Sequence, residues 1–263
     1  MILPTFTNIA TCLAVVYVGA TPILVDSERE TWNMDVDQVP RLINARTKAI
    51  LPVHIYGHPV DMDPLIDLAD RHSLLVIEDA AEAHGAEYRG RRVGALKDSG
   101  CFSFYANKLI TSGEGGMILT NNLDQAEKAR SLRNLCFQHE RRFYHTHLGH
   151  NFRLTNIQAA IALAQVERIA EIVSRKRWIG QSYTEQLSEI SGLQLPVEKP
   201  WAKQVYWMYG VVLDEDVGLS ASEFGARLRE LGVETRPFFL GMHEQPALAD
   251  LAFFPGVKYP VAE

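Results

Sequence analysis

Short apolar runs alternate with helical patterns along most of this chain, and that alternation limits its fold more than any other feature. Residues 23–25 (ILV), 49–54 (AILPVH), 74–78 (LLVIE), 101–105 (CFSFY) and 116–120 (GMILT) read as strands. They are apolar throughout rather than at every second position, so both faces must be covered. Residues 9–18 and 64–72 carry apolar side chains at helical spacing, with Leu65, Leu68 and Ala69 on one face. Strands separated by helices predict an α/β fold with a mixed, mostly parallel sheet.

A longer helix is predicted from Thr155 and Asn156 onward, where Thr155 and Gln158 have the spacing of a capping box. Ile157, Ala160, Ile161, Ala164, Val166 and Ile169 continue it, and the pattern runs towards Ile190. Such length predicts a connector, dividing the chain into a large domain over 1–190 and an incomplete, smaller α/β domain over 191–263. In the second part, residues 205–213 read as a strand, and Ser220 or Ser222 caps a helix over 223–231 that Gly232 ends.

The net charge of −6 over 263 residues disfavours non-specific nucleic-acid binding, which requires a basic surface. Cys12, Cys101 and Cys136 are odd in number and far apart, so neither a disulfide framework nor a zinc pattern is read from them, and a reducing cytoplasm is expected. Residues 1–25 are apolar, but Pro4, Thr5, Thr7, Asn8, Thr11, Gly19, Thr21 and Pro22 interrupt them, and no basic segment precedes them. A buried helix, a turn and a strand account for the stretch better than a membrane span. The chain opens almost directly in a hydrophobic segment and stops without a closing helix, which reads as a fragment.

In open α/β sheets, ligands bind beyond the carboxyl ends of the strands. Asp79 closes one apolar run, either as a cap or as a carboxylate that requires a cation or donor. Lys108 lies just past the end of another, five residues beyond Ser103. A loop lysine is ordinarily solvated, but a buried one can form a Schiff base, and a carboxylate at a neighbouring strand end could hold a protonated pyridine nitrogen. The glycines at 113, 115 and 116 fit neither a dinucleotide fingerprint nor a P-loop, and read as a turn or as a small-residue loop beside the lysine. His139, His145, His147 and His150 lie in a polar segment without a zinc-helix pattern, so no metal is expected. Arg141, Arg142 and the run Arg175, Lys176, Arg177 read as solvated faces, and Asp61 and Asp63 as turn and cap residues.

Together IEDAAEAHGA (77–86), FSFYANKLITSGEGGMILT (102–120) and HNFRLTNIQAAIALAQVERI (150–169) resemble the DegT/DnrJ/EryC1/StrS family, as do PTFTNIATCLAVVYVGATPILVD (4–26), PVHIYGHPVDMD (52–63) and ETRPFFLGMHEQP (234–246). The resemblance implies the aspartate-aminotransferase-like fold (PLP fold type I) and pyridoxal 5′-phosphate as cofactor. It implies amino transfer from glutamate to a nucleotide-linked 4-keto-6-deoxy sugar, in a homodimer with shared active sites. On the same ground Lys108 matches the lysine that carries the cofactor, Asp79 the partner of the pyridine nitrogen, Glu82 a ring-supporting position that is often Gln, and Ser103 a phosphate ligand. Asn151, with Arg153, matches a segment reaching the neighbouring subunit's phosphate site, and His54, Tyr56, Arg236 and His243 match segments near the substrate. Family dehydratases carry His in place of the lysine, so Lys108 argues for amino transfer.

Three departures accompany the resemblance. An upstream Gly-Thr phosphate turn and the end of the small domain are missing, Asn8 stands where relatives often place an aromatic, and Gly241 replaces a common proline. The alternative these raise is a non-catalytic family fragment.

Overall fold

A computed structural model describes residues 1–263 other than His139, Arg142, Ala252 and Pro255. The elements, in chain order, are β1 (Ile2–Pro4), α1 (Ile9–Tyr17), β2 (Ile23–Val25), β3 (Ala49–Ile50), α2 (Met62–Arg71), β4 (Leu75–Asp79), β5 (Glu87–Tyr88), β6 (Arg91–Arg92), β7 (Ser99–Ser103), β8 (Gly116–Thr120) and α3 (Leu123–Arg133). They continue with α4 (Asn156–Val166), α5 (Ile169–Leu187), β9 (Leu193–Gln194), β10 (Ala202–Lys203), β11 (Val212–Leu213), α6 (Ala221–Glu230) and α7 (Pro246–Ala249).

The main sheet has the order β2-β1-β3-β4-β7-β8, parallel except for β8, which runs antiparallel to β7. Alternation along each strand sorts side chains between two cores. Ile2, Ile50 and Val76 join one cluster with Leu65 and Leu68 of α2. Their neighbours Leu3, Leu51 and Ile77 join the other with Cys12 and Val15 of α1. The continuous apolar runs of the sequence are thus explained by a helix on each face.

Three expected elements differ. The strand over 49–54 shrinks to β3, because Pro52 has no N–H to donate and only the isolated bridge from Val53 to Asp79 follows. The long helix is two, since Arg168 leaves helical geometry at φ −103°, ψ 10°. Thr155 does form the capping box with Gln158 at the start of α4. Of residues 205–213, only β11 is strand, because Tyr206 sits at φ 49° and cannot continue a pleat. Ser220 is the cap of α6.

Segments after residue 190 return to the earlier part of the chain. β10 pairs with β5, and the Met242 N–H donates to the Thr5 carbonyl. Arg177, expected on a solvated face, instead bonds Glu198 and the Gln204 carbonyl. No described helix is long and apolar enough to cross a membrane.

Candidate active site

Two adjacent carboxylates end β4, and the pleat sends them to opposite faces. Glu78 points with Val76 and is fully buried. It accepts from the Gly94 and Leu96 N–H groups, each at 2.6 Å, and lies 3.1 Å from His54 Nε2. Burial pushes its carboxyl up, but the His54 ring and the two N–H groups outweigh that and hold it below its ordinary range. His54 is equally buried, and its Nδ1 accepts from the Val60 N–H at 3.1 Å, which leaves the ring proton on Nε2, facing Glu78. Both nitrogens are therefore spent inside the chain. His54, expected near the substrate, fastens the loop after β3 to β4.

Asp79 faces the α1 side. Its Oδ2 accepts from the Thr11 hydroxyl at 2.8 Å, and Thr11 is itself 3.1 Å from the Thr7 hydroxyl. Its Oδ1 accepts from the Ala81 N–H at 3.1 Å. The cap reading of Asp79 thus describes one oxygen, in a turn rather than a helix. β7 places Cys101 opposite Asp79, so Ser103, two residues on, shares that sheet face. The Ser103 hydroxyl accepts from the Tyr105 N–H at 3.2 Å.

Lys108 lies in the loop from β7 to β8, whose glycines at 113 and 115 take positive φ. Burial lowers the pKa of its amine, and the charges of Glu82 and Asp79 offset this in part. Glu82 is buried and accepts from the Tyr56 N–H at 2.8 Å. Burial pushes its carboxyl up to about 7 against the opposing pull of Lys108. Lys108, Glu82 and Asp79 therefore form one electrostatic cluster at the carboxyl ends of β4 and β7.

The remaining expected residues are placed differently. Tyr56 is buried in an aromatic cluster with Phe6, Trp32, Trp207, Phe238 and Phe239, and burial raises its phenol well above the ordinary range. Its backbone, through Glu82, is what touches the site. Arg236 is exposed and pairs with Glu234 at 3.1 Å. His243 Nδ1 lies 2.8 Å from the Thr5 hydroxyl and its ring packs on Tyr259. Asn151 is exposed and bridges Asn134, which also accepts from Arg153. No contact among the described residues joins Arg236, His243 or Asn151 to Lys108. Asn8 caps α1 through its side chain, accepting from the Ala10 N–H. His145 lies 2.6 Å from the Leu135 carbonyl and His150 stacks on Phe152, while His139 lies outside the described residues. Among the described residues no group of three or more potential ligands could hold a metal.

Two residues of the cluster were not singled out from the sequence. Thr11 could have been found as a hydroxyl one helical turn into α1, but nothing local paired it with Asp79. Trp207 lies with its ring under the Lys108 amine, 3.8 Å from Nζ to the ring centroid, and carries no sequence signal at all.

The chain is 47% identical over 257 residues to the GDP-perosamine synthase of Caulobacter vibrioides, covering 96% of this chain and 68% of that protein. It is 39% identical to the enzyme of the same name from Escherichia coli O157:H7, covering 100% and 70%. The solved structure of S. venezuelae DesV superposes with a TM-score of 0.92 at 36% identity, over 99% of this chain and 69% of that one. The profile of the DegT/DnrJ/EryC1/StrS aminotransferase family matches residues 1–263. With the parallel sheet, the half-buried lysine at its carboxyl edge and these matches, the chain belongs to the DegT/DnrJ/EryC1/StrS aminotransferase family.

Proposed function

We propose that this chain transaminates a nucleotide-linked 4-keto-6-deoxy sugar with pyridoxal phosphate as cofactor and glutamate as amino donor, as a cytoplasmic homodimer with shared sites. The observation that carries the reading is the Lys108 amine, half-buried, lowered in pKa and flanked by Asp79 and Glu82. That donor set fits the cofactor: an amine for its aldehyde, a carboxylate for its pyridine nitrogen and, on the same face, a serine for its phosphate. The relatives named GDP-perosamine synthase support a GDP-linked sugar.

When bound, pyridoxal phosphate supplies an electron sink for the charge left by breaking a C–H bond. The chain supplies the rest. Asp79, oriented by Thr11 and Ala81, would keep the pyridine nitrogen protonated, and Ser103 would hold the phosphate. Glu82 would support the ring from its buried position. Lys108 would bind the cofactor and, once freed, move a proton at Nζ; that requires a neutral amine, which burial favours. Asn151 would act in the neighbouring subunit's site, and Arg236 and His243 near the sugar. In this reading, residues 1–190 carry the cofactor residues and 191–263 form part of a smaller domain.

The test has two stages. Adding pyridoxal phosphate should produce a long-wavelength absorbance band that Lys108→Ala abolishes. A panel of nucleotide-linked 4-keto sugars with glutamate should then yield one amine product by mass. Absence of the band overturns the cofactor reading, and a band without any amine product replaces the enzyme with a cofactor-binding module.

A further inference from the structure

We propose that Trp207 is a positioning residue for Lys108: its indole face is the berth that receives the lysine amine whenever that amine is not bonded to cofactor. The inference rests on the cofactor reading above and adds a part to it.

The geometry is built from both ends. The Lys108 Nζ stands 3.8 Å from the centroid of the Trp207 ring, and Trp207 is buried. The indole N–H donates to the Asn107 carbonyl at 2.9 Å, so the ring is tied to the backbone residue before the lysine it supports. The segment that delivers the ring is held against the loop after β3, where the Val205 N–H donates to the Gly57 carbonyl. Gly57 sits at φ +94°, and a Cβ there would meet Val205 Cγ2 at 2.7 Å and Trp207 N at 3.1 Å. Tyr206 takes φ 49°, a left-handed conformation that a tyrosine adopts only under constraint. Two unusual backbone positions are thus spent on bringing this ring to this lysine.

The chemistry gives the arrangement a purpose. A half-buried ammonium loses part of its hydration, and an indole face returns some of that stabilisation through the ring quadrupole. The charged and titratable groups around Lys108 are Asp79, Glu82 and His84, with Glu171, Arg175 and Lys176 of α5 across the adjoining pocket. A carboxylate alone would hold the amine as an ion pair in one direction. A neutral ring attracts the cation without taking its proton, so the amine is aimed yet free to swing to the cofactor.

The test follows attachment rather than turnover. Protein freed of cofactor is mixed with pyridoxal phosphate across a pH series. Condensation of the amine with the aldehyde releases water, borohydride reduces the resulting C=N bond, and mass spectrometry counts labelled Lys108. Removing the π face should move the inflection of the rate to lower pH. For Trp207→Leu the expected shift is about one pH unit, the tenfold scale of one cation–π contact. Trp207→Phe, with a weaker face, should fall between Leu and wild type. If the Leu variant does not fold, the Phe variant decides alone, by a smaller change in the same direction. An unchanged inflection in the folded variants, or a Phe variant shifted as far as Leu, overturns the inference. If wild type itself is not labelled at Lys108, the cofactor reading fails instead.

Discussion

The Thr11 hydroxyl donates to Asp79 Oδ2 at 2.8 Å, across 68 positions of sequence. This bond joins the first turn of α1 to the end of β4 and fixes the plane of the carboxylate on the site face. Thr11→Val keeps the shape and removes the donor. Hydrogen bonds to charged groups contribute about 1.5–3 kcal/mol. The variant should therefore bind pyridoxal phosphate at least roughly tenfold more weakly by fluorescence titration, whereas Thr11→Ser should stay near wild type. Equal affinity in the Val variant would show that Asp79 needs no orienting partner.

The Glu82 carboxyl, raised to about 7 by burial, gives the stability of the chain a pH dependence of definite sign. Between about 4.5 and 7 the unfolded chain releases this proton while the folded chain keeps it. Stability from this group is therefore full at low pH and is lost as pH rises through about 7. Subtracting the urea stability of Glu82→Gln from that of wild type isolates it. The difference should decline by about 2–3 kcal/mol from pH 4.5 to 7.5, less if Lys108 is charged over the same range. A flat difference would place the carboxylate in water.

His58 and His84 act in the opposite direction. Burial lowers each to about 4, so below about 6.5 the unfolded chain takes up protons that the folded chain refuses. His84 packs against Phe102 and Phe104, and neither ring nitrogen makes a hydrogen bond of ordinary geometry. Among the described residues, the Ser103 carbonyl is the group that favours its protonated form. His84→Phe should raise the melting temperature more at pH 5 than at pH 7.5, removing about 2 kcal/mol of acid penalty at pH 5. An equal effect at both values would assign the gain to packing alone.

Glu78→Ala should be the most damaging of these substitutions to the fold. It leaves the Gly94 and Leu96 N–H groups and the His54 ring without their shared partner. Breaking a buried pair of this kind costs about 3–5 kcal/mol. Lys108→Ala, which removes a desolvated amine, should cost far less. Parallel urea unfolding of the two variants checks the contrast, and comparable losses would mean that Lys108 supports the fold.

How much was legible depended on how local the cause was. The edges of β2 and β8, the Thr155 capping box and the lysine that follows Ser103 are written in neighbouring residues, so periodicity and spacing reveal them. The resemblance alone put His54 near the substrate, while the partners of its two ring nitrogens, Glu78 and Val60, are 24 and 6 positions away and visible only in the fold. The run over 205–213 looked like a strand because it is apolar, whereas part of it is spent on reaching Lys108.

By itself the sequence determined the covered parallel sheet, the family and the order Asp79, Ser103, Lys108 along strand ends, because period, motif and spacing are properties of the chain. Tertiary structure alone decided that Glu78, beside Asp79, is sealed in the core by His54 and the Gly94 and Leu96 N–H groups. It also decided that Thr11 orients Asp79 and that Trp207 carries the lysine. Those are choices between partners many residues apart, settled by the pleat of β4 and by which helix or loop packs against each face.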